Sequence, residues 1–173
     1  CIRDRCIAVG RINTPQLAEE ILEQNKADMV VMGRAQLADA DFCVKAKEGR
    51  LQEIVYCIGC DQGCYDGFTD PAAPFITCMR NPYLGKEAQD VLVPAQKPKR
   101  VLIAGGGVAG LEAACILKQR GHQPVVYEAS DELGGQFVTA GKAPRKMEMK
   151  DAALSYGEKA KRLGILIHLN TPV

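Results

Sequence analysis

The feature that most restricts the fold is the stretch "RVLIAGGGVAGLEAACILKQRG" at residues 100–121. An apolar run ends at Gly105, further glycines follow at Gly107 and Gly110, and helix-forming residues then continue to Gly121. This order is typical of a parallel strand, a tight turn and a helix whose N-terminus binds a diphosphate. Gly105 suits the turn, Gly107 a close approach of the diphosphate, and Gly110 close packing of the helix on the strand.

The residues around this helix extend the prediction of a dinucleotide site. The diphosphate is expected at the positive helix N-terminus, beside Val108 and Ala109. The next apolar run, "QPVVYE", ends at Glu128, whose carboxylate can accept hydrogen bonds from ribose hydroxyls. The following "ELGGQF" contains a glycine pair suited to a second close backbone approach. Such a pair is associated with FAD-type folds more than with simple NAD-type folds, so FAD is the favoured nucleotide.

The first 56 residues indicate two strand–helix units of a parallel α/β fold. "CIAVG" (6–10) and "ADMVVMG" (27–33) read as short buried strands, and a helix is expected after each. Thr14 suits an N-cap and Pro15 the first helical position. Both strands end alike, in Gly10–Arg11 and in Gly33–Arg34. Glycine N–H groups and guanidinium donors suit an anion such as a phosphate, and simple turn geometry is the alternative.

A cysteine-rich segment lies between these two regions. "CIGCDQGC" (57–64) holds Cys57, Cys60 and Cys64, and Cys78 follows. Four thiolates at uneven spacing favour a [4Fe–4S] cluster. Zinc is the second interpretation, because zinc ribbons usually show two C-x2-C pairs and only one is present. The other cysteines are scattered singly, which favours free thiols in a reducing cytoplasm; they are Cys1, Cys6, Cys43 and Cys115.

Composition limits the classes of partner. Lys and Arg total 22 against 21 Asp and Glu, so charge gives no argument for binding nucleic acid or an anionic membrane. Glycines and Glu112 interrupt the longest apolar region, which therefore does not suit a membrane span. The chain begins without Met and has no signal-peptide pattern. We expect it to be a fragment of a longer protein.

Taken in order, these motifs resemble the iron–sulfur flavoenzymes of the NADH:flavin oxidoreductase group. That group includes 2,4-dienoyl-CoA reductase, 2-enoate reductase, bile-acid-inducible oxidoreductases and trimethylamine dehydrogenase. The resemblance covers nearly the whole chain and is carried by "IAVGRINTPQLAEEIL", "ADMVVMGRAQLAD", "CIGCDQGC", "CMRNPYLGKE", "VLIAGGGVAGLEAA" and "ELGGQF".

The resemblance implies a domain order and a set of site residues. Residues 1–56 would be the C-terminal end of a (β/α)8 FMN-binding barrel, 57–85 an iron–sulfur segment, 86–99 a linker, and 100–173 the first part of a Rossmann-like FAD-binding domain. The FMN phosphate would be held by Gly10, Arg11, Gly33 and Arg34. The [4Fe–4S] cluster would be ligated by Cys57, Cys60, Cys64 and Cys78. FAD would contact Gly105, Gly107, Val108, Ala109, Gly110, Glu128, Gly134, Gly135 and Gln136.

The resemblance also implies a chemistry for the parent enzyme. NAD(P)H would reduce FAD, the cluster would pass single electrons to FMN, and FMN would reduce an activated C=C bond of an enoate or enoyl thioester. The catalytic acid and most of the substrate pocket are expected outside this stretch, so no residue here is predicted to be catalytic and the chain alone should not turn over substrate. Alternatives are a trimethylamine-dehydrogenase-like enzyme with ADP in place of FAD, and a non-catalytic electron-transfer or metal-binding module. Homo-oligomerisation stays open.

Overall fold

The computed structural model of the protein describes residues 4–89 and 92–173. Cys1 and positions 90 and 91 of the predicted linker lie outside these ranges. The chain divides into two compact units, Cys1–Gln89 and Asp90–Val173. Within the described ranges, no helix is both long and apolar enough to cross a membrane.

Over residues 4–89 the first unit contains two parallel strands, four α-helices and one short 3-10 helix, Leu51–Glu53. The strands β1 (Ile7–Val9) and β2 (Met29–Val31) pair in register, with Ile7 opposite Met29. The helices are α1 (Pro15–Glu23), α2 (Gly33–Ala38), α3 (Phe42–Lys47) and α4 (Tyr65–Thr69). The start of α1 is as predicted, since the Thr14 hydroxyl accepts a hydrogen bond from the Leu17 N–H at 3.2 Å. The sequence reading did not predict α2, which begins directly after β2.

The two strands of the first unit are less buried than the sequence reading expected. The apolar runs at 6–10 and 27–33 predict buried strands, yet Val9 is 73% exposed and Met29 is 56% exposed. Only the middle residues, Ala8 and Val30, are half-buried. The reason is that α1 packs against β2 from one side, and a sheet of two strands then keeps its other face open.

The second unit is a parallel sheet of three strands with helices packed on it. The strands pair in the order β3 (Arg100–Ala104), β4 (Gln123–Tyr127) and β5 (Leu166–His168). The helices are α5 (Val108–Gln119), α6 (Gln136–Ala140) and α7 (Met147–Arg162). Its core is centred on α5, where Leu111, Ala114 and Cys115 are fully buried. Parallel strands joined by helices in both units confirm the predicted α/β fold class.

Candidate cofactor sites

The glycine loop of the second unit connects β3 to α5 through a sharp turn. Gly105 has φ +102°, a conformation that favours glycine, and Gly107 is the N-cap of α5. A Cβ on Gly110 would lie 2.1 Å from the Gly105 carbonyl oxygen, so only glycine lets the helix approach the turn this closely. A Cβ on Gly107 would meet nothing within 4 Å, so the space beside the helix N-terminus is open. Val108 and Ala109 form the first turn of the helix beside that space.

Glu128 lies directly after β4 and is tied to the glycine loop. One carboxylate oxygen accepts a hydrogen bond from the Gly106 N–H at 2.6 Å, and the other accepts from the N–H and the hydroxyl of Ser130 at 2.8 and 2.9 Å. The hydrogen bond from the Ser130 N–H is the main reason why the pKa of Glu128 is below its ordinary value. The carboxylate is therefore charged at neutral pH and keeps lone pairs for further donors, such as ribose hydroxyls.

The glycine pair predicted to allow close backbone approach lies against the glycine loop itself. Gly134 donates its N–H to the Gly106 carbonyl at 2.8 Å and forms a parallel bridge with Gly107. A Cβ on Gly135 would lie 3.2 Å from the Gly107 Cα, and Gln136 then begins α6. The sequence reading missed Gly106, where a Cβ would lie 2.6 Å from a Leu133 methyl group. In the sequence, the run of three glycines at 105–107 was the feature that could have indicated this close packing of Gly106 on Leu133.

In the first unit, the two Gly–Arg pairs come together around one cavity of about 260 Å³. Because β1 and β2 are parallel and adjacent, the loops that follow them lie at the same edge of the sheet. The predicted anion-binding residues that line the cavity are Gly10, Arg11, Gly33 and Arg34. Cys57 and Gly59 of the cysteine segment line it as well. The structure thus brings the predicted phosphate residues and the first predicted cluster ligand to one place.

Both arginines of this cavity contact the cysteine segment. Arg34 forms an ion pair with Asp61, which lies between Cys60 and Cys64. The guanidinium of Arg11 lies 3.4 Å from the position that a Cβ on Gly59 would occupy. Asp61 was not predicted from the sequence to be part of a site. Its φ is +60°, a left-handed conformation that Asp adopts more readily than most residues.

Three contacts shape the segment that carries the four clustered cysteines. The Gly63 carbonyl accepts the Thr77 N–H at 2.9 Å, which places Cys64 beside Cys78 because each cysteine follows directly on a bonded residue. The buried Arg80 donates to the Tyr56 carbonyl at 3.4 Å and so draws the chain after Cys78 towards Cys57. The Gly59 N–H points at the Cys57 sulfur, 3.4 Å away.

The electrostatics of Cys57 reflect these neighbours. Burial is the largest influence and raises the pKa of its thiol, and the positive charge of Arg34 acts in the opposite direction. Cys78 and Cys60 also raise it, so both lie within electrostatic reach of Cys57. Because burial favours the neutral thiol, the thiolate of Cys57 would be stabilised mainly by an additional positive charge, such as a bound metal centre.

The four clustered cysteines do not converge on a single point. All four cysteines are half-buried and free. Among residues 4–89 and 92–173, no three His, Cys, Asp or Glu side chains converge closely enough to hold one metal ion. A cubane needs one thiolate at each of four separate irons, so its ligands surround a volume instead of meeting at a point.

Side chains that the sequence reading missed hold the cysteine segment on the strand–helix units. Asn13 donates to the Cys57 carbonyl at 3.1 Å, and Asn81 donates to the Leu37 carbonyl at 2.9 Å. The buried carboxylate of Asp39 accepts the Val55 N–H at 2.8 Å and pairs with the Lys45 ammonium at 2.7 Å. Asn13 lies in the loop after β1, Asp39 is the C-cap of α2 and Asn81 lies in an irregular segment, so no common sequence pattern indicated these anchors.

Comparison with known proteins places the two units in known families. Residues 2–53 match the NADH:flavin oxidoreductase / NADH oxidase family, and residues 103–157 match the NAD(P)-binding Rossmann-like domain. Among curated relatives, the metal reductase of Desulforamulus reducens is 38% identical over 95% of this chain and 24% of its own length. The cinnamate reductase of Clostridium sporogenes is 35% identical over 95% of this chain and 24% of its own.

A solved structure shares the fold over almost the whole chain. A 2-naphthoyl-CoA reductase in complex with 2-naphthoyl-CoA superimposes with a TM-score of 0.90 and 33% identity, covering 99% of this chain and 26% of that one. The chain therefore spans about a quarter of the length of the proteins that it matches. The sequence-based assignment to the 2-enoate reductase-like flavoenzymes is confirmed by these matches.

Proposed function

Because the chain belongs to the NADH:flavin oxidoreductase group of flavoenzymes, we propose that it carries the electron-transfer part of an NAD(P)H-dependent flavin and iron–sulfur oxidoreductase. The observation that carries the proposal is the shared cavity of the first unit, where Cys57 stands among the two Gly–Arg pairs. One-electron transfer between two centres needs them close together. A flavin phosphate and a thiolate-bound cluster on these residues would meet that need.

The Gly–Arg pairs would hold the phosphate of FMN. Gly10 and Arg11 both have left-handed backbone conformations, at φ +110° and +50°, which turn the chain sharply after β1. Arg11 and Arg34 bring two guanidinium groups to the cavity, and guanidinium donates to phosphate in a fork of parallel hydrogen bonds. These two positive charges would attract a phosphate monoester, which carries close to two negative charges near neutral pH, and Asp61 offsets part of the Arg34 charge.

The four clustered cysteines would ligate a [4Fe–4S] cluster, which supplies one-electron transfer between flavins. This chain contributes the thiolates of Cys57, Cys60, Cys64 and Cys78 and the contacts that group them. The Gly59 N–H, aimed at the Cys57 sulfur, would stabilise negative charge on that thiolate. The free state of the cysteines suits a reducing cytoplasm, where we place the enzyme.

The second unit would bind FAD through its glycine loop. Gly105, Gly107 and Gly110 shape the loop, and the open space at Gly107 would admit the diphosphate against Val108 and Ala109. Glu128, charged and fixed by Gly106 and Ser130, would accept the ribose hydroxyls. Gly134, Gly135 and Gln136 would complete the site from the opposite side of the loop.

For the substrate we propose an activated C=C bond in an enoate or an enoyl thioester. The names of two relatives support this class, a cinnamate reductase and a 2-naphthoyl-CoA reductase, both acting on unsaturated acids or thioesters by name. The residues that protonate the substrate would lie in parts of the barrel that this chain does not contain.

The test is a cofactor analysis of the full-length protein purified without oxygen. We expect about four irons and four sulfides per chain, together with FMN and FAD. A Cys60→Ala variant should lose the iron and sulfide, and a Cys43→Ala variant should keep both, because Cys43 is an exposed cysteine that contacts Gln36 and lies apart from the cluster ligands. FMN with ADP would favour the amine-dehydrogenase alternative. One zinc without sulfide would overturn the proposal.

A further inference from the structure

Arg34 lines the cavity of the first unit that is proposed to hold the flavin, called the flavin cavity here, and it forms an ion pair with an acid of the cysteine segment. Its partner Asp61 directly follows Cys60 and lies three residues before Cys64. Asp61 holds its left-handed conformation while its carbonyl accepts the N–H groups of Tyr65 and Asp66 at 3.1 and 3.3 Å. The carboxylate is therefore fixed to the turn that carries two of the four thiols.

From this geometry, and resting on the proposed function, we propose that the Arg34–Asp61 pair sets the reduction potential of the centre bound by the four cysteines. In this proposal Arg34 influences electron transfer through its charge, in addition to lining the flavin cavity. Cys57 lines the same cavity as Arg34, and Asp61 follows Cys60 directly in the chain. Each charge of the pair therefore belongs to the surroundings of one proposed cluster ligand.

The sign of each effect follows from charge alone. Reduction adds one electron to the centre, so a nearby positive charge stabilises the reduced state and a nearby negative charge destabilises it. Loss of the Arg34 charge should lower the potential, and loss of the Asp61 charge should raise it. Both side chains are partly exposed, at 38% and 48%, so solvent screens the effect. We expect about a threefold change in the reduction equilibrium for each, or about 30 mV for a one-electron couple.

The experiment compares Arg34→Gln, Asp61→Asn and the double variant in the full-length, cluster-loaded protein. Asparagine tolerates the left-handed conformation as aspartate does, so Asp61→Asn keeps the turn. Midpoint potentials are read from the low-temperature electron paramagnetic resonance signal during a redox titration. FMN is added at a concentration that saturates every variant, so the charge of the flavin phosphate stays constant. Iron and sulfide contents are measured alongside.

The matched control is Arg50→Gln. Arg50 has the same side-chain exposure of 38% and pairs with Glu48 and Glu53, but it does not line the cavity. It should leave the potential unchanged. Opposite shifts in the two single variants, with the double variant close to the natural protein, would support the inference. A merely structural role would instead lower the iron content of both variants or shift both potentials in the same direction.

Two outcomes separate this inference from the proposed function. If the cluster has the same midpoint potential in the natural protein and in the Arg34 and Asp61 variants, the inference is overturned and the proposed function still stands. A natural protein without iron and sulfide would overturn both.

Discussion

Gly63 offers the sharpest test of how the cysteine segment is built. Its φ is +80°, and a Cβ there would lie 2.2 Å from the Thr77 hydroxyl and 3.1 Å from the Thr77 carbonyl oxygen. Both atoms belong to Thr77, whose N–H donates to the Gly63 carbonyl at 2.9 Å in the contact that brings Cys64 beside Cys78. Gly63→Ala should therefore separate two of the four thiols.

The destabilisation expected for Gly63→Ala has two parts, and the matched variant Gly49→Ala measures the first part alone. Any alanine in the left-handed region costs about 1–2 kcal/mol. Gly49 has nearly the same backbone, with φ +73°, but a Cβ there meets nothing within 4 Å. Gly49→Ala should thus carry the conformational cost alone. Gly63→Ala adds the displacement of Thr77, of the order of 1–3 kcal/mol for overpacking.

The assay is iron and sulfide content per chain after anaerobic reconstitution of the full-length protein. Gly49→Ala should load like the natural protein, and Gly63→Ala should load poorly. The double variant Gly63→Ala/Thr77→Ala removes the nearest clashing atom and should recover part of the loading, since the Thr77 backbone still lies close. Equal loading of the two alanine variants would refute the reasoning, because it would mean that the Gly63–Thr77 contact does not hold the ligands in place.

Three further predictions concern the anchors and the nucleotide loop. Asp39→Ala removes the buried acceptor of the half-buried Lys45 ammonium and of the Val55 N–H, and it should destabilise the first unit by about 1–3 kcal/mol, measured by hydrogen exchange of its peptides. Glu48→Ala, at an exposed ion pair, should change the stability by nothing measurable. Glu128→Gln should lower the free energy of unfolding at neutral pH but not in acid. The lowered pKa of Glu128 contributes stability above the ordinary glutamate pKa, and this contribution is lost as the pH falls through the lowered value. Parallel curves of stability against pH for the variant and the natural protein would contradict this prediction. Gly107→Ala should keep the fold and weaken FAD binding, whereas Gly110→Ala should loosen α5 by about 1–3 kcal/mol, and hydrogen exchange that is equal in the two variants would contradict this.

The fold was predictable where local pattern and packing agree. Thr14 and Pro15 marked the start of α1, and the run from Arg100 to Gly121 marked β3, its turn and α5, because capping and glycine turns are local properties. Helix α2 was missed because it follows β2 without a capping side chain. The exposure of β1 and β2 was also missed, since an apolar run does not reveal what covers it.

For the candidate sites, the sequence predicts sets of residues but not the contacts that connect them. The spacing of the cysteines and glycines identified each set separately. Sequence could not indicate that Arg34 pairs with Asp61, that Asn13 reaches Cys57, or that Gly135 packs on Gly107, because these contacts join residues 27 or more positions apart. Contacts of that range depend on how the chain returns on itself, which composition and periodicity do not contain.

The path of the chain between the two proposed centres is set by Asp39. Its buried carboxylate holds the Val55 N–H, two residues before Cys57, and the chain can move at most about 7 Å over two residues. Asn13, in the loop after β1, then holds the Cys57 carbonyl from the other side. Cys57 is thus held from the C-terminal end of α2 and from the loop after β1, and that loop also lines the flavin cavity. The proximity that electron transfer between the two proposed centres would require is therefore provided by contacts within the first unit.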